Sequence, residues 1–216
     1  MDSLTTLAQA LGIAYASGIN LYATVALVGL AERMGWVGPL PGALGAVSNV
    51  WVIGVAGVLA VIEFLATLIP GLASAWETAH SAVRPPAAAA LAVATAWHGD
   101  PAFIFITALL GGGLALSTHA TKLGLRYAID TSPEPVTNGV ANVAELGVVA
   151  SLSYFVWNHP FVSLAVALAL LILLALTVRI IWRVLRRVFS GRWLSERELA
   201  SDARATGSRR TADGRG

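Results

Sequence analysis

The chain has 216 residues, 56% of them hydrophobic and 12% charged, with no cysteine and a formal net charge of +2. A soluble domain carries about 25% charged residues, so this composition points to an all-α integral membrane protein, with room for about six spans of ~20 residues. Without thiols there are no disulfides, no thiol catalysis and no cysteine metal sites. The small net charge, with its basic residues near helix ends, marks membrane orientation and not a nucleic-acid partner.

Met1-Asp2-Ser3 lacks the positive start of a cleaved signal peptide, so the first segment is expected to be retained. Leu4 to Met34 is apolar with polar insertions, and Gly18 is the expected break because glycine weakens a helix interior. A short leading helix followed by a span from Ile19, or one tilted helix, both fit. Gly35 to Asn49, with Pro39, Pro41 and several glycines, reads as a loop. Val50 to Ile69 is a twenty-residue apolar span stopped by Pro70-Gly71. Glu63 is its only charge, about 10 Å from that end, and Gly54, Gly57 and Ala60 would admit a neighbouring helix closely.

Leu72 to Arg126 reads as a hairpin of two half-polar helices. The first carries Glu77, His80, Ser81 and Arg84, breaks at Pro85-Pro86, and continues as an alanine-rich run to Trp97. The second starts after a turn at His98 to Pro101, is apolar to the expected break at Gly111 to Gly113, and then carries Ser117, His119, Lys122 and Arg126. The run from Pro86 to Trp97 covers only roughly 18 Å, so 72–97 is either one kinked span or a re-entrant segment. Ala88, Ala92 and Ala96 suit tight packing on the facing helix. Tyr127 to Thr137 reads as a loop with Asn138 as the N-cap of the next helix. Val140 to Trp157 again has one charge, Glu145. Phe161 to Thr177 is apolar all round, and Arg179, Arg183, Arg186, Arg187 and Arg192 follow.

The expected spans are therefore 4–34, 50–69, 72–97, 102–127, 138–157 and 161–188. They form one domain of residues 1–189, followed by a disordered, charged tail at 190–216. The arginines place the C-terminus in the cytoplasm, and with six spans the N-terminus as well. Glu63 and Glu145 then lie at similar depth, beside the polar halves of the hairpin. A weak similarity between Gly18–Leu30 and Gly113–Leu125 suggests a 3+3 inverted repeat.

Glu63 and Glu145 carry most of the chemical interest, since an ionised carboxylate in lipid must pair, face water or be protonated. Glu77, His80, Ser81 and Arg84 share one helix face, as do His119, Lys122 and Arg126. The two faces can interleave with Glu63 and Glu145 as counter-ions, and Asn20 and Asn138 join the candidate pathway. A balanced set of three acids and three bases suits an ion-pair network that locks helices as well as a pathway. Lys122 and Arg126 could instead snorkel to head groups, and the histidines could relay protons or simply pack. No metal or cofactor motif, phosphate loop or nucleophile–base set occurs, so no enzyme is expected.

Glu63-Phe64 with Pro70-Gly71, His80 with Arg84-Pro85, His119-Ala-Thr-Lys122 with Arg126, Thr131-Ser-Pro-Glu-Pro135 with Asn138, and Glu145 together resemble a bacterial membrane family catalogued as domain of unknown function 4126. The resemblance runs roughly from Gly18 to Tyr154. Members usually carry an Asp-Lys pair before the Pro-Gly, an Asp shortly after it, and Glu-Asp in the fifth span. Here those places hold Thr67-Leu68, Ala73 and Glu145-Leu146. The resemblance implies a multi-span protein of the bacterial plasma membrane and no established activity. From the residues themselves the first expectation is a transporter or channel for a small solute or ion. The alternatives are a non-transporting scaffold and a lipid-translocating protein. The expected partners are the bilayer, anionic head groups near Arg179–Arg192, and a second copy in a homodimer.

Overall fold

The computed structural model describes residues 2–130 and 135–189. Every regular element among them is helical: α1 (Ser3–Ile19), α2 (Leu21–Arg33), a 3-10 segment (Gly42–Ser48), α3 (Val50–Ala66), α4 (Leu72–His80), α5 (Arg84–Thr95), α6 (Pro101–Asp130), α7 (Pro135–Asn158) and α8 (Pro160–Phe189). The chain divides into two compact units, Met1–Leu171 and Ile172–Gly216. In the second, Ile172, Leu176, Ile180 and Trp182 are exposed, as are Arg179, Arg183 and Arg186. The expected tail at 190–216 and residues 131–134 of the expected loop lie outside the described residues.

Among the described residues two helices, α6 and α7, are long and apolar enough to cross a membrane. A third span results if the 3-10 segment and α3, bent by 70° where they meet, count as one. That is fewer than the six expected among the described residues. Part of the shortfall has a physical cause, because the expected spans 4–34 and 72–97 are each divided between two short helices. Large apolar side chains stand outward along α3, from Trp51 at 80% exposure through Val55, Val58, Ile62 and Leu65. Apolar surface on this scale is unusual for a protein in water and is compatible with a membrane.

In the first unit, α1, α5 and α6 pack most extensively on one another. Their seam is built from small residues: Ala10, Ala14, Ala88, Ala92 and Ala115 form one buried cluster. Gly111 belongs to the same seam, since a Cβ there would stand 2.7 Å from the Ala92 Cβ and 3.3 Å from the Ala14 Cβ. The expected break at Gly111–Gly113 is absent and α6 runs through it without interruption. Gly111 is there for close helix approach, not for a bend. The alanine spacing on α5 does what its period suggests, and Ala88, Ala92 and Ala96 are all buried.

The other breaks also fall elsewhere than expected. The first lies at Asn20, two residues past Gly18, which is itself inside α1. The break between α4 and α5 is the turn Ser81–Val83. Pro85 and Pro86 follow it in the first turn of α5, where a missing N–H costs nothing. Gly71 turns the chain into α4 at φ +80, a conformation glycine adopts without strain. The segment from Gly35 to Asn49 is more ordered than a loop. Glu32 accepts from the Leu40 N–H at 2.9 Å and from the Ser48 hydroxyl, which fixes the 3-10 segment against α2. Gly54 and Gly57 meet nothing within 4 Å, so the close approach expected on that face does not occur within the described chain. Gly18–Leu30 and Gly113–Leu125 also differ locally, since the first is broken at Asn20 and the second is continuous helix.

Candidate functional site

The charges on α3, α4, α5, α6 and α7 meet in one buried network. Glu63 is on α3, Glu77 on α4, Arg84 at the start of α5, His119, Lys122 and Arg126 on α6, and Glu145 on α7. All are buried except Glu145, whose side chain is 19% exposed. Arg84 bridges two carboxylates with separate nitrogens, Nη2 to Glu63 Oε1 at 2.6 Å and Nη1 to Glu77 Oε2. Lys122 Nζ reaches Glu63 Oε1 at 3.0 Å, Glu77 Oε1 at 2.8 Å and Glu145 Oε2 at 2.9 Å. Arg126 Nη2 pairs with Glu145 Oε1 at 2.7 Å. Three carboxylates therefore face three cations. Such a set contributes little net stability over a well-packed apolar core, whereas breaking it is expensive.

Asn20 has a different role from the one its sequence position suggests. Its side chain accepts from the Ala23 N–H at 2.9 Å and so caps α2. That bond takes the place of the helical acceptor for Ala23, and the Ile19 carbonyl is left to Lys122 Nζ at 2.8 Å. The residue thus positions a backbone oxygen and is not itself part of the charged network. Asn20→Ala is expected to cost about 1 kcal/mol of stability, the loss of an N-cap. Thermal denaturation in detergent checks this, and equal stability of wild type and Asn20→Ala would contradict it.

Asn138 is not the N-cap expected for its helix, since α7 begins at Pro135. It is buried in the first turn, with Oδ1 3.5 Å from Arg126 Nη1 and Nδ2 3.5 Å from Asp130 Oδ1. Asp130 is the last residue of α6, not part of a loop. Its carboxylate accepts from the Gly71 N–H at 3.1 Å, the Ser74 N–H at 3.1 Å and the Ser74 hydroxyl, and so caps α4 from another helix.

His119 sits between Arg84 and Ser81. Its Nδ1 lies 3.1 Å from Arg84 Nη1 and its Nε2 lies 2.9 Å from Ser81 Oγ. A guanidinium only donates, so Nδ1 accepts, the ring proton is on Nε2, and it is given to Ser81. The Ser81 hydroxyl in turn donates to the Glu77 carbonyl at 3.2 Å. His80 lies outside the ion pairs. Its Nδ1 donates to the Trp76 carbonyl at 2.8 Å and its Nε2 accepts from the Tyr22 hydroxyl at 3.0 Å, with its ring stacked on Trp76.

Sequence reasoning missed Asn142, which accepts from Arg126 Nη2 and donates to the Phe64 carbonyl at 2.9 Å, tying α7 to the end of α3. The signal was present, because Asn138, Asn142 and Glu145 recur at i, i+4 and i+7 on one helix face. Among the described residues no group of three or more His, Asp or Glu is arranged to hold a metal ion, with Lys122 standing between Glu63, Glu77 and Glu145.

A cavity of about 480 Å³ lies at the opposite end of α1, α5 and α6, lined by Ser3, Thr6, Thr95, His98, Asp100 and Phe103 among others. Phe103 and Lys122 are separated along α6 by about 28 Å, close to the thickness of a hydrocarbon core. The small-residue seam lies between the two ends.

The chain belongs to the family described as Domain of unknown function (DUF4126), whose model matches residues 7–180. No curated protein and no solved structure matches it.

Proposed function

We propose that this family member is a multi-pass membrane transporter or channel for a small cation or solute, with the buried charged network as its controlling site. The observation that carries this proposal is the break at Asn20, which turns the Ile19 carbonyl out of its helix and onto Lys122 among three carboxylates. Irregular backbone at membrane depth occurs where it is enclosed by protein or lines a water-filled path. Transporters build ion sites from such broken helices. The polar cavity about 28 Å away along α6 would be the approach from the other face. Ser3 and Thr6 line the cavity together with Pro41 and Gly42, so α1 and α2 would enter from that face and return to it as a re-entrant hairpin turning at Asn20. The crossings would be the 3-10 segment with α3, α4 with α5, then α6, α7 and α8. Arg179, Arg183 and Arg186 would lie at the cytoplasmic face, near anionic head groups.

The test is flux through proteoliposomes under proton, sodium, potassium and ammonium gradients. Flux above that of protein-free vesicles is the expected result. No flux under any of these gradients would exclude a cation pathway. A scaffold is the second candidate, favoured by the three-against-three balance of the network.

A further inference from the structure

The surroundings of Lys122 Nζ resemble the coordination shell of an ion more than a set of directed hydrogen bonds. Four oxygens stand around it, from Glu63, Glu77, Glu145 and the Ile19 carbonyl, all at 2.8–3.0 Å. An ammonium has only three N–H donors. The oxygens come from α1, α3, α4 and α7, while the cation comes from α6. The second oxygen of Glu63, Oε2, is buried and has no hydrogen-bond partner among the described residues. With four oxygens around three donors, the site has one more acceptor than Lys122 uses. The charge balance is equally specific. Arg84 and Arg126 offset two of the three carboxylates, so the pocket without the lysine ammonium is short by one positive charge. The distances exceed the roughly 2.0–2.6 Å at which Mg²⁺ and Ca²⁺ bind oxygen. The free carbonyl at the end of α1 also carries the negative end of that helix dipole.

We propose that these four oxygens form a monovalent-cation site, that Lys122 is its tethered occupant, and that a cation of ammonium or potassium size is the alternative occupant. The proposal rests on the transport function in one respect only: the transported cation would be the one that displaces Lys122. The site itself can be tested without flux.

Lys122→Ala removes the tethered ammonium and leaves its space. The thermal stability of the full-length variant in detergent is measured in methylammonium, ammonium, potassium, sodium and choline chlorides at constant ionic strength. Methylammonium, ammonium or potassium at about ten times its Kd is expected to shift the unfolding equilibrium roughly tenfold, raising Tm by about 3–6 °C over choline. Which of them acts tells an ammonium site from a potassium site. Wild type should show no such difference. Lys122→Ala/Glu63→Gln should show none either, because its remaining two acids match its two arginines. Equal Tm in all salts for Lys122→Ala would overturn the proposal. So would a single variant that folds in none of the salts while the double variant folds. A cation-specific rise with no flux from wild-type vesicles would establish the site and exclude transport. Flux without the rise would do the reverse.

Discussion

Arg84→Met is expected to destabilise the protein by about 3–5 kcal/mol, the cost of leaving buried charge without its partner. Arg84 is fully buried and holds Glu63 and Glu77 through different nitrogens, while Nη1 also donates to His119. Its removal leaves three carboxylates facing only Lys122 and Arg126. Arg84→Lys keeps the charge but supplies one point donor in place of a planar fork, and it cannot span both carboxylates and the imidazole. It should recover only part of the loss. Arg84→Met/Glu77→Met restores the charge balance and should be more stable than Arg84→Met alone. Denaturation in detergent reads all three variants. An Arg84→Met protein within about 1 kcal/mol of wild type would show that the guanidinium does not hold the network.

Gly18→Ala is expected to have the next largest effect, although it adds a single methyl group. A Cβ at Gly18 would stand 1.8 Å from Thr118 Oγ1, 2.7 Å from the Ala115 carbonyl oxygen and 2.9 Å from the Ala115 Cα. The side chain of Thr118 can turn away, but the backbone of Ala115 cannot, so α1 must separate from α6. Overpacking of this kind costs about 1–3 kcal/mol. The neighbouring residue is Ile19, whose carbonyl would be drawn off Lys122 by the same movement. Adding Thr118→Ala should therefore not restore stability. Gly124 lies in open space on the same helix as Thr118, and Gly124→Ala should be neutral or slightly stabilising. Thermal unfolding of the three variants checks this. A Gly18→Ala protein as stable as Gly124→Ala would mean that α1 and α6 do not meet at this point.

The comparison of Gly18 with Gly111–Gly113 shows why some of the fold was illegible in the sequence. Glycine is selected both where the backbone must bend and where another helix must come close, and the letter is the same. In this chain Gly18 and Gly111 serve close approach, and nothing in the letter separates that use from a break. The real break at Asn20 was hidden because a capping asparagine and a polar pathway residue also look alike. The prolines misled in a similar way, since Pro85-Pro86 marks the start of α5 and not the middle of a kink. The breaks at Asn20 and Ser81–Val83 also leave the first and third expected spans without a single helix able to cross alone.

The charged network was more legible. Helical spacing put His119 with Lys122 and Arg126 on one face; Glu77 and Arg84 do meet, but from two helices across the Ser81–Val83 turn and not on the single helix face expected. The cost of isolated charge among apolar neighbours drew Glu63 and Glu145 to them. Spacing could not show that Lys122 is the hub of three acids and a backbone carbonyl, because that depends on four other helices. Nor could it separate His80 from the network, since only packing places its ring between Trp76 and Tyr22.

The most direct measurement is cation flux through vesicles containing Glu145→Gln/Lys122→Met. This double variant removes one charge of each sign, leaves Arg84 with Glu63 and Glu77, and leaves Arg126 with Asn138 and Asn142 in place of Glu145; thermal unfolding in detergent establishes that it is folded before flux is read. If the network controls permeation, wild type conducts and the folded double variant does not. A folded double variant with flux equal to wild type would contradict that claim and place the pathway elsewhere in the protein.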